Sequence, residues 1–471
     1  MDQDNHQSTF TPSNLTNQGN VLKQSRFKRF FSKKTILVTL VILLFLVLKN
    51  SANEQKKPDT TSSNQPIPSN SLNTITSKKP YLLSSTGIQA YSGKTPFFQY
   101  SYPIKELAQD VDILTLFLEH YGIPWDEFAQ NSEPPSFHPW TKAMNQMAND
   151  AQATKKDIFL QLSFTRKALE GKAVNDGQGN LKIDDWPGNT PEGNCYDFGN
   201  DKSKRKEAYL NYVKWMVIKF HPKYVNVAIE INDYWKDCTK GNLFAGSKWD
   251  KVVSIEGEAY DMVKSIDSSI VTFPSFILHV VYNDNPDGFD KGAFDALSKL
   301  KRDRLAVTVY PYLMQRGGKY VKPQELPQDF FNRVNKNNEI LIIAETGWNS
   351  STLRTGSPQS CQDLIPSNDK DQAIYLQFIL DQAQKNNIEI IDWWSNRDIY
   401  PPQVITTCYP PLDKCGNDPW CSADNVFKDA VKENPQFGEI IFKIWGAMGI
   451  RTYDGTPKPI YNLWQSARGR K

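Results

Sequence analysis

The sequence predicts a (β/α)8 barrel with long βα loops, a TIM barrel, and three features point to it. Apolar runs of β type alternate with amphipathic helical stretches over roughly the last 390 residues, which is the rhythm of an α/β fold. Several of those runs, such as LAVTVY and EILIIAE, are apolar at successive positions, as parallel strands covered on both faces must be. Eight such runs can be counted, which is the number a barrel needs. A doubly wound open sheet is the alternative reading of the same alternation.

The candidate strands, in order, are Tyr81–Ala90, Asp112–Phe117, Asp157–Leu162, Val225–Glu230, Ile270–Phe273, Leu305–Tyr310, Ile340–Glu345 and Glu389–Trp394. The clearest helix between them spans about Lys204–Phe220, where Tyr209, Tyr212, Val213, Met216, Val217 and Phe220 recur at helical spacing. Another begins at Ser367 or Asn368, both able to cap, and stops at Asn386-Asn387. If this is a barrel, its chemistry sits at the C-terminal ends of the strands, where the βα loops converge.

The 471-residue chain is longer than one barrel, and the excess lies at the start. Residues 1–34 read as a polar, then basic, disordered tail. Lys23, Arg26, Lys28, Arg29, Lys33 and Lys34 precede an uncharged run, Thr35–Leu48, and such a flank puts the basic side in the cytoplasm. At 1.5 Å per residue that run spans roughly 21 Å, so Phe30 and Phe31 must extend it while Lys33 and Lys34 snorkel. It reads as a single-pass transmembrane signal-anchor or as the core of a cleaved signal peptide; either places the body outside the cytoplasm, membrane-anchored or secreted. Residues 49–79 are rich in Ser, Asn, Thr and Pro and read as a linker, leaving residues 80–471 for the barrel.

A net charge of +3, with its basic cluster in the tail, argues against a nucleic-acid surface. The segment Gly87–Thr95 resembles a phosphate loop but has one residue too many between its glycines, and no serine nucleophile elbow occurs. Six cysteines, all in the body, suggest disulfides, and no paired C-x-x-C or H-E-x-x-H spacing suggests a metal site. Of fifteen possible pairings, adjacency of barrel loops favours Cys195–Cys238, Cys361–Cys408 and Cys415–Cys421.

Two acids close strand runs: Glu230 in VNVAIEINDYW and Glu345 in EILIIAETGWNSS. A carboxylate there is costly unless paired, hydrogen-bonded or exposed in a cavity. Two acids at one barrel mouth supply the pair that glycoside hydrolysis uses. The segments YLNYVKWMVIKFHPKYVNVAIEIN, AVTVYPY, IIAETGW and GIRTYDGTPKPIYNLW together resemble clan A of the retaining glycoside hydrolases, most nearly its endo-galactanase-like members. That resemblance implies Glu230 as acid/base and Glu345 as nucleophile, with carboxyls about 5–5.5 Å apart rather than the 6.5–9.5 Å of inverting enzymes. It also implies Tyr310 as the nucleophile's hydrogen-bond partner and Trp394, or its neighbour Trp393, as a floor for the reacting sugar. An oligo- or polysaccharide substrate follows, with no metal or organic cofactor.

One position departs from the clan. Its members have Asn before the fourth-strand acid, bonding the sugar 2-hydroxyl; here the residue is Ile229. Either Asn232 substitutes for it, or the barrel has become a carbohydrate-binding or adhesion module. Trp235 and Trp348 lie close to the two acids in sequence and suit sugar stacking or a barrel cap. His279, Glu119 and His120 are further polar residues beyond strand ends, more often structural than substrate-binding.

Overall fold

The structure is a computed structural model that describes residues 81–86, 104–118, 123–131, 133–136, 138–163, 171–175, 181–185, 204–232, 247–355, 360–398 and 444–469. Eight parallel strands form its centre: β1 (Leu82–Ser85), β2 (Leu114–Leu118), β3 (Ile158–Ser163), β4 (Tyr224–Ile229), β5 (Val271–Ile277), β6 (Leu305–Val309), β7 (Leu341–Thr346) and β8 (Ile388–Trp393). Each falls on one of the eight apolar runs. Their order round the sheet is β1-β8-β7-β6-β5-β4-β3-β2, every neighbour parallel. The remaining gap is closed by a parallel bridge between Thr86 and Thr115, and by Asp112 N donating to Leu83 O at 2.7 Å. An open sheet would end in two edges; this one closes on itself, so the doubly wound alternative is excluded.

Burial on both faces explains the unbroken apolar runs. All six residues of β4 and of β7 are buried, as are all five of β6. One face looks into the barrel and the other is covered by helices α1 (Ile104–Asp110), α2 (Pro139–Ala153), α3 (Arg205–Phe220), α4 (Ser247–Ile266), α5 (Lys291–Leu297), α6 (Asp369–Lys385) and α7 (Pro459–Gly469). In α3 the six residues of the sequence stripe are all buried, and His221 ends the helix in a left-handed conformation. In α6, the Asn368 side chain caps the first turn by accepting from Asp371 N at 3.0 Å, and Asn387 follows the end at φ 52°.

The helix rhythm fails once. Between β6 and β7 the chain makes the short 3-10 turns Pro311–Leu313 and Pro323–Glu325 and a small hairpin, with no α-helix. Phe330, Phe331 and Val334 are buried there and cover the barrel wall in the helix's place.

Inside the barrel, residues two apart on each strand form layers, as the period of a strand requires. The lower layer is apolar: Ile113, Phe159, Tyr224, Phe273, Ala306, Ile342, Ala344 and Ile390. Two residues further along, toward the C-terminal ends, the layer turns polar: Ser84, Thr115, Gln161, Asn226, Ser275, Thr308 and Asp392, none more than 1% exposed.

Among the described residues no helix is long and apolar enough to cross a membrane. The tail, the run Thr35–Leu48 and the linker lie outside them, as do Cys195, Cys238, Cys408, Cys415, Cys421 and the segment Gly87–Thr95. Cys361 is disulfide-bonded, to a partner outside the described residues.

Asp392 gives the polar layer a signature in pH. Burial pushes its carboxyl up to about 7, against hydrogen bonds from Thr86, Thr115 and Ser84 that favour the charged form. In the unfolded chain the same group ionises near pH 4. Its contribution to stability is therefore full below about pH 4 and lost as pH rises to about 7. The substitution Asp392→Asn should flatten that decline. Denaturant midpoints of both proteins between pH 4 and 8 test this: parallel slopes would remove Asp392 as the cause.

Candidate active site

Glu345 reaches the mouth because its strand bulges. Ile342 and Ala344 both belong to the interior apolar layer, so strict alternation would send Glu345 outward. Between Ile343 and Glu345, however, the register of β7 against β6 shifts by one. Such an extra residue turns the side chains beyond it, and bulges recur beside functional sites for that reason. Glu345 is 7% exposed, and it accepts a hydrogen bond from the hydroxyl of Tyr310, the residue just after β6.

Strand β4 shifts in the same way between Asn226 and Ala228, against β5. Its next turn carries Glu230 at φ 51°, a left-handed conformation that costs a non-glycine residue about 1–2 kcal/mol. The Glu230 backbone N donates to Ser275 Oγ at 3.2 Å, which holds the turn against β5. The phenol of Tyr310 links the two acids electrostatically. Burial raises its pKa well above the usual tyrosine range, and the negative charges of Glu345 and then Glu230 raise it further. Tyr310 therefore remains protonated and a donor, with both carboxylates in its field.

Trp394 follows β8 at the same level, half-buried, with its ring edge-on to Phe117 at 5.3 Å between centroids. Its indole Nε1 has no hydrogen-bond partner among the described residues, and the Trp394–Ser395 peptide is cis. His279 lies on the helical turn Leu278–Val281 just past β5, half-buried.

Three of the expected substrate contacts are buried and hydrogen-bonded within the fold. Trp348 is 2% exposed, donates from Nε1 to Ser367 Oγ at 3.0 Å, and packs between Tyr312 and Tyr375. Trp393 is fully buried, donates to Met448 O at 2.8 Å and packs on Tyr375. Alternation is the reason: Ile390 and Asp392 face the interior, so Trp393 faces the helices and Trp394 the mouth. Asn232 is 2% exposed and clasps one peptide unit, donating to Ile277 O at 3.1 Å and accepting from Ile277 N at 2.8 Å. This clasp braces β4 to β5 and engages both ends of the Asn232 carboxamide. Ile229 is itself 3% exposed and offers no side-chain hydrogen bond. Trp235, Glu119 and His120 lie outside the described residues.

The polar layer beneath the mouth was not anticipated. Its signal was a polar letter within each otherwise apolar strand, not always the strand's sole one: Gln161 in IFLQLS, Asn226 in YVNVAI, Ser275 in VTFPSFI, Asp392 in IEIIDW. Among the described residues no group of three or more His, Cys, Asp or Glu side chains is placed to hold a metal.

No known family profile matches the sequence, and no curated protein does. The solved structures that resemble the fold include glycoside hydrolases. A GH5_18 protein from Bifidobacterium longum subsp. longum aligns over 82% of this chain and 80% of its own, at 11% identity and TM-score 0.48. An exo-β-1,4-mannosidase from Opitutaceae bacterium strain TAV5 aligns over 82% of this chain and 59% of its own, at 12% identity and TM-score 0.49. A β-glucuronidase from Bacteroides uniformis aligns over 83% of this chain but only 35% of its own, at 12% identity and TM-score 0.44. Likeness at this level settles neither fold nor chemistry, which rest on the strands and residues above.

The reassignment of Trp348 has a measurable consequence. Trp348→Ala should cost about 3–5 kcal/mol of folding stability, as truncation of a large buried aromatic does. Thermal or denaturant unfolding measures it, and an unchanged midpoint would return Trp348 to the surface.

Proposed function

We propose that this protein is a glycoside hydrolase that cleaves a β-linked oligo- or polysaccharide with retention of configuration. The observation that carries the proposal is the hydrogen bond from Tyr310 to Glu345, at a barrel mouth where Glu230 acts on the same phenol. A phenol held protonated favours the ionised form of the carboxylate it bonds and fixes one of its oxygens. The carboxylate of Glu345, oriented by that bond, is then the nucleophile. It forms a bond to the anomeric carbon as the glycosidic C–O bond breaks, and Glu230 donates its proton to the leaving oxygen. In the second half, Glu230 takes a proton from water, the water oxygen bonds the anomeric carbon, and the ester to Glu345 breaks. Trp394, half-buried and with no partner for its Nε1 among the described residues, is the floor on which the reacting sugar lies. The separation required of the carboxyls is about 5–5.5 Å.

In this reading the basic tail and the run Thr35–Leu48 target the chain to a membrane, as anchor or signal, and the barrel works on the extracytoplasmic side. Its loops are stapled as Cys195–Cys238, Cys361–Cys408 and Cys415–Cys421, each bridge contributing about 2–4 kcal/mol.

Ile229 favours a second reading, a barrel that binds glycans without cleaving them. The bond it cannot make strengthens in the transition state, and contacts of that kind contribute several kcal/mol. The two readings part on the acids. Glu345→Gln should abolish turnover while leaving the fold intact, because an amide cannot serve as the carboxylate nucleophile. Glu230→Gln should slow substrates with poor leaving groups far more than activated aryl glycosides. Trapping with an activated 2-fluoroglycoside, read by peptide mass spectrometry, should label Glu345. A wild-type protein that binds polysaccharide but neither hydrolyses nor becomes labelled is the binding barrel.

A further inference from the structure

Between the two bulges runs an unbroken chain of hydrogen bonds. Ala344, the residue before Glu345, offers its carbonyl at the β7 bulge, and Gln161 Nε2 on β3 donates to it at 2.9 Å. The same Nε2 donates to Asp392 Oδ2 on β8 at 3.2 Å. Gln161 Oε1 accepts from Asn226 Nδ2 on β4 at 3.1 Å, and that Nδ2 also donates to Ser275 Oγ on β5 at 2.8 Å. Asn226 Oδ1 accepts from Ala228 N at 3.2 Å, inside the β4 bulge, and from Ser275 N at 3.0 Å. Ser275 Oγ in turn accepts from the backbone N of Glu230 at 3.2 Å.

The accounting is nearly complete. Both hydrogens of each carboxamide nitrogen are used, as are both lone pairs of Asn226 Oδ1. Neither amide can rotate by half a turn without putting donors against donors, so the network selects one orientation of each. Gln161 and Asn226 are fully buried, one layer below the mouth, and substrate does not reach them. Alternatives that move either bulge would strand buried polar groups at about 1–3 kcal/mol each.

We propose that Gln161 and Asn226 are positioning residues that set the separation and aim of Glu230 and Glu345, by holding the two bulges at a fixed distance across the barrel. The proposal deepens the glycosidase reading and rests on it for its kinetic consequences. It follows that the pair acts on catalysis through geometry alone. Misplacing a reacting group by about 1 Å costs on the order of a hundredfold in rate.

The test uses Gln161→Leu, Asn226→Leu, the double variant, and the milder Asn226→Asp, which keeps the Oδ1 acceptor for the bulge while removing the donors. Folded variants, judged by circular dichroism and unfolding midpoint, should lose about 10- to 100-fold in kcat with little change in KM. Because both residues belong to one chain, the double variant should lose about as much as the worse single one, where independent sites would multiply. Asn226→Asp should be the least affected and should shift the pH profile of kcat/KM, since it places a new acid beneath Glu230. A loss of stability with wild-type kcat and an unmoved pH profile overturns the proposal. Crystal structures of the wild type and Gln161→Leu give a readout that needs no turnover: an unchanged Glu230–Glu345 carboxyl separation also overturns it. A wild-type protein that neither hydrolyses nor becomes labelled would instead overturn the glycosidase reading, and so tells the two failures apart.

Discussion

The interior of this barrel is divided by a polar layer that has no access to water. Gln161, Asn226, Ser275 and Asp392 contribute side chains from β3, β4, β5 and β8; the first three bond one another, Asp392 and main-chain groups of the bulged strands, and Asp392 Oδ2 also accepts from Thr86 Oγ1 at 2.6 Å. An apolar layer in the same place would pack well but would leave the carbonyl at Ala344 and the amide at Ala228 unsatisfied, because a bulge removes them from the ladder. The polar layer is therefore what makes two bulges affordable on strands otherwise buried on both faces. Without those bulges, alternation would carry Glu345 away from the mouth. Satisfied networks of this kind also specify a single geometry more sharply than apolar packing does.

The barrel is fastened at its seam by a second buried acid. Asp110, at the end of α1, accepts from Arg451 Nε at 2.7 Å, Asn396 Nδ2 at 3.0 Å and Tyr461 Oη at 2.8 Å, while its carbonyl accepts from Trp464 Nε1. Burial alone would raise its pKa, but the bonds from Arg451, Asn396 and Tyr461 outweigh that and hold it below the usual carboxylate value. Asp392 lacks a cation and is driven the other way. The same residue type thus does two jobs in one fold. Charged, it ties the last helix to the first; neutral, it sits within the barrel.

Much of this was legible from sequence because two-sided burial writes itself as unbroken apolar runs. All eight strands could be placed that way, and Glu230 and Glu345 stood out because each ends such a run. The aromatic residues were less legible. Trp348, Trp393 and Trp394 all lie near strand ends, and an aromatic there can fill the core or line a cleft. Parity separates Trp393 from Trp394 once Asp392 is known to face inward, but parity fails wherever a strand bulges. The bulges themselves left no local mark. Gln161 and Asn226 were visible as polar letters in apolar strands, yet the partner that gives Gln161 its meaning lies 183 residues away. Asn232 was ambiguous for a related reason: a polar residue two positions past an acid at the mouth is as easily a clasp on the next strand as a ligand.

The polar layer also bears on the meaning of Ile229. In β4 the residue before Glu230 is the last of the strand, buried and aligned with Ser163 of β3. A side chain there could support the chemistry in two ways, by touching the substrate or by holding the acid that touches it. The isoleucine does neither through hydrogen bonds. The second task is met one layer lower, where Asn226 secures the bulge and Ser275 receives the Glu230 amide. On the proposed glycosidase reading the first task is a matter of transition-state affinity, whose loss would lower the rate by a factor without altering where the acids stand. Placement and affinity would then be separable in this barrel, because the groups proposed to place the acids are buried beneath them, on strands that do not depend on what occupies the mouth.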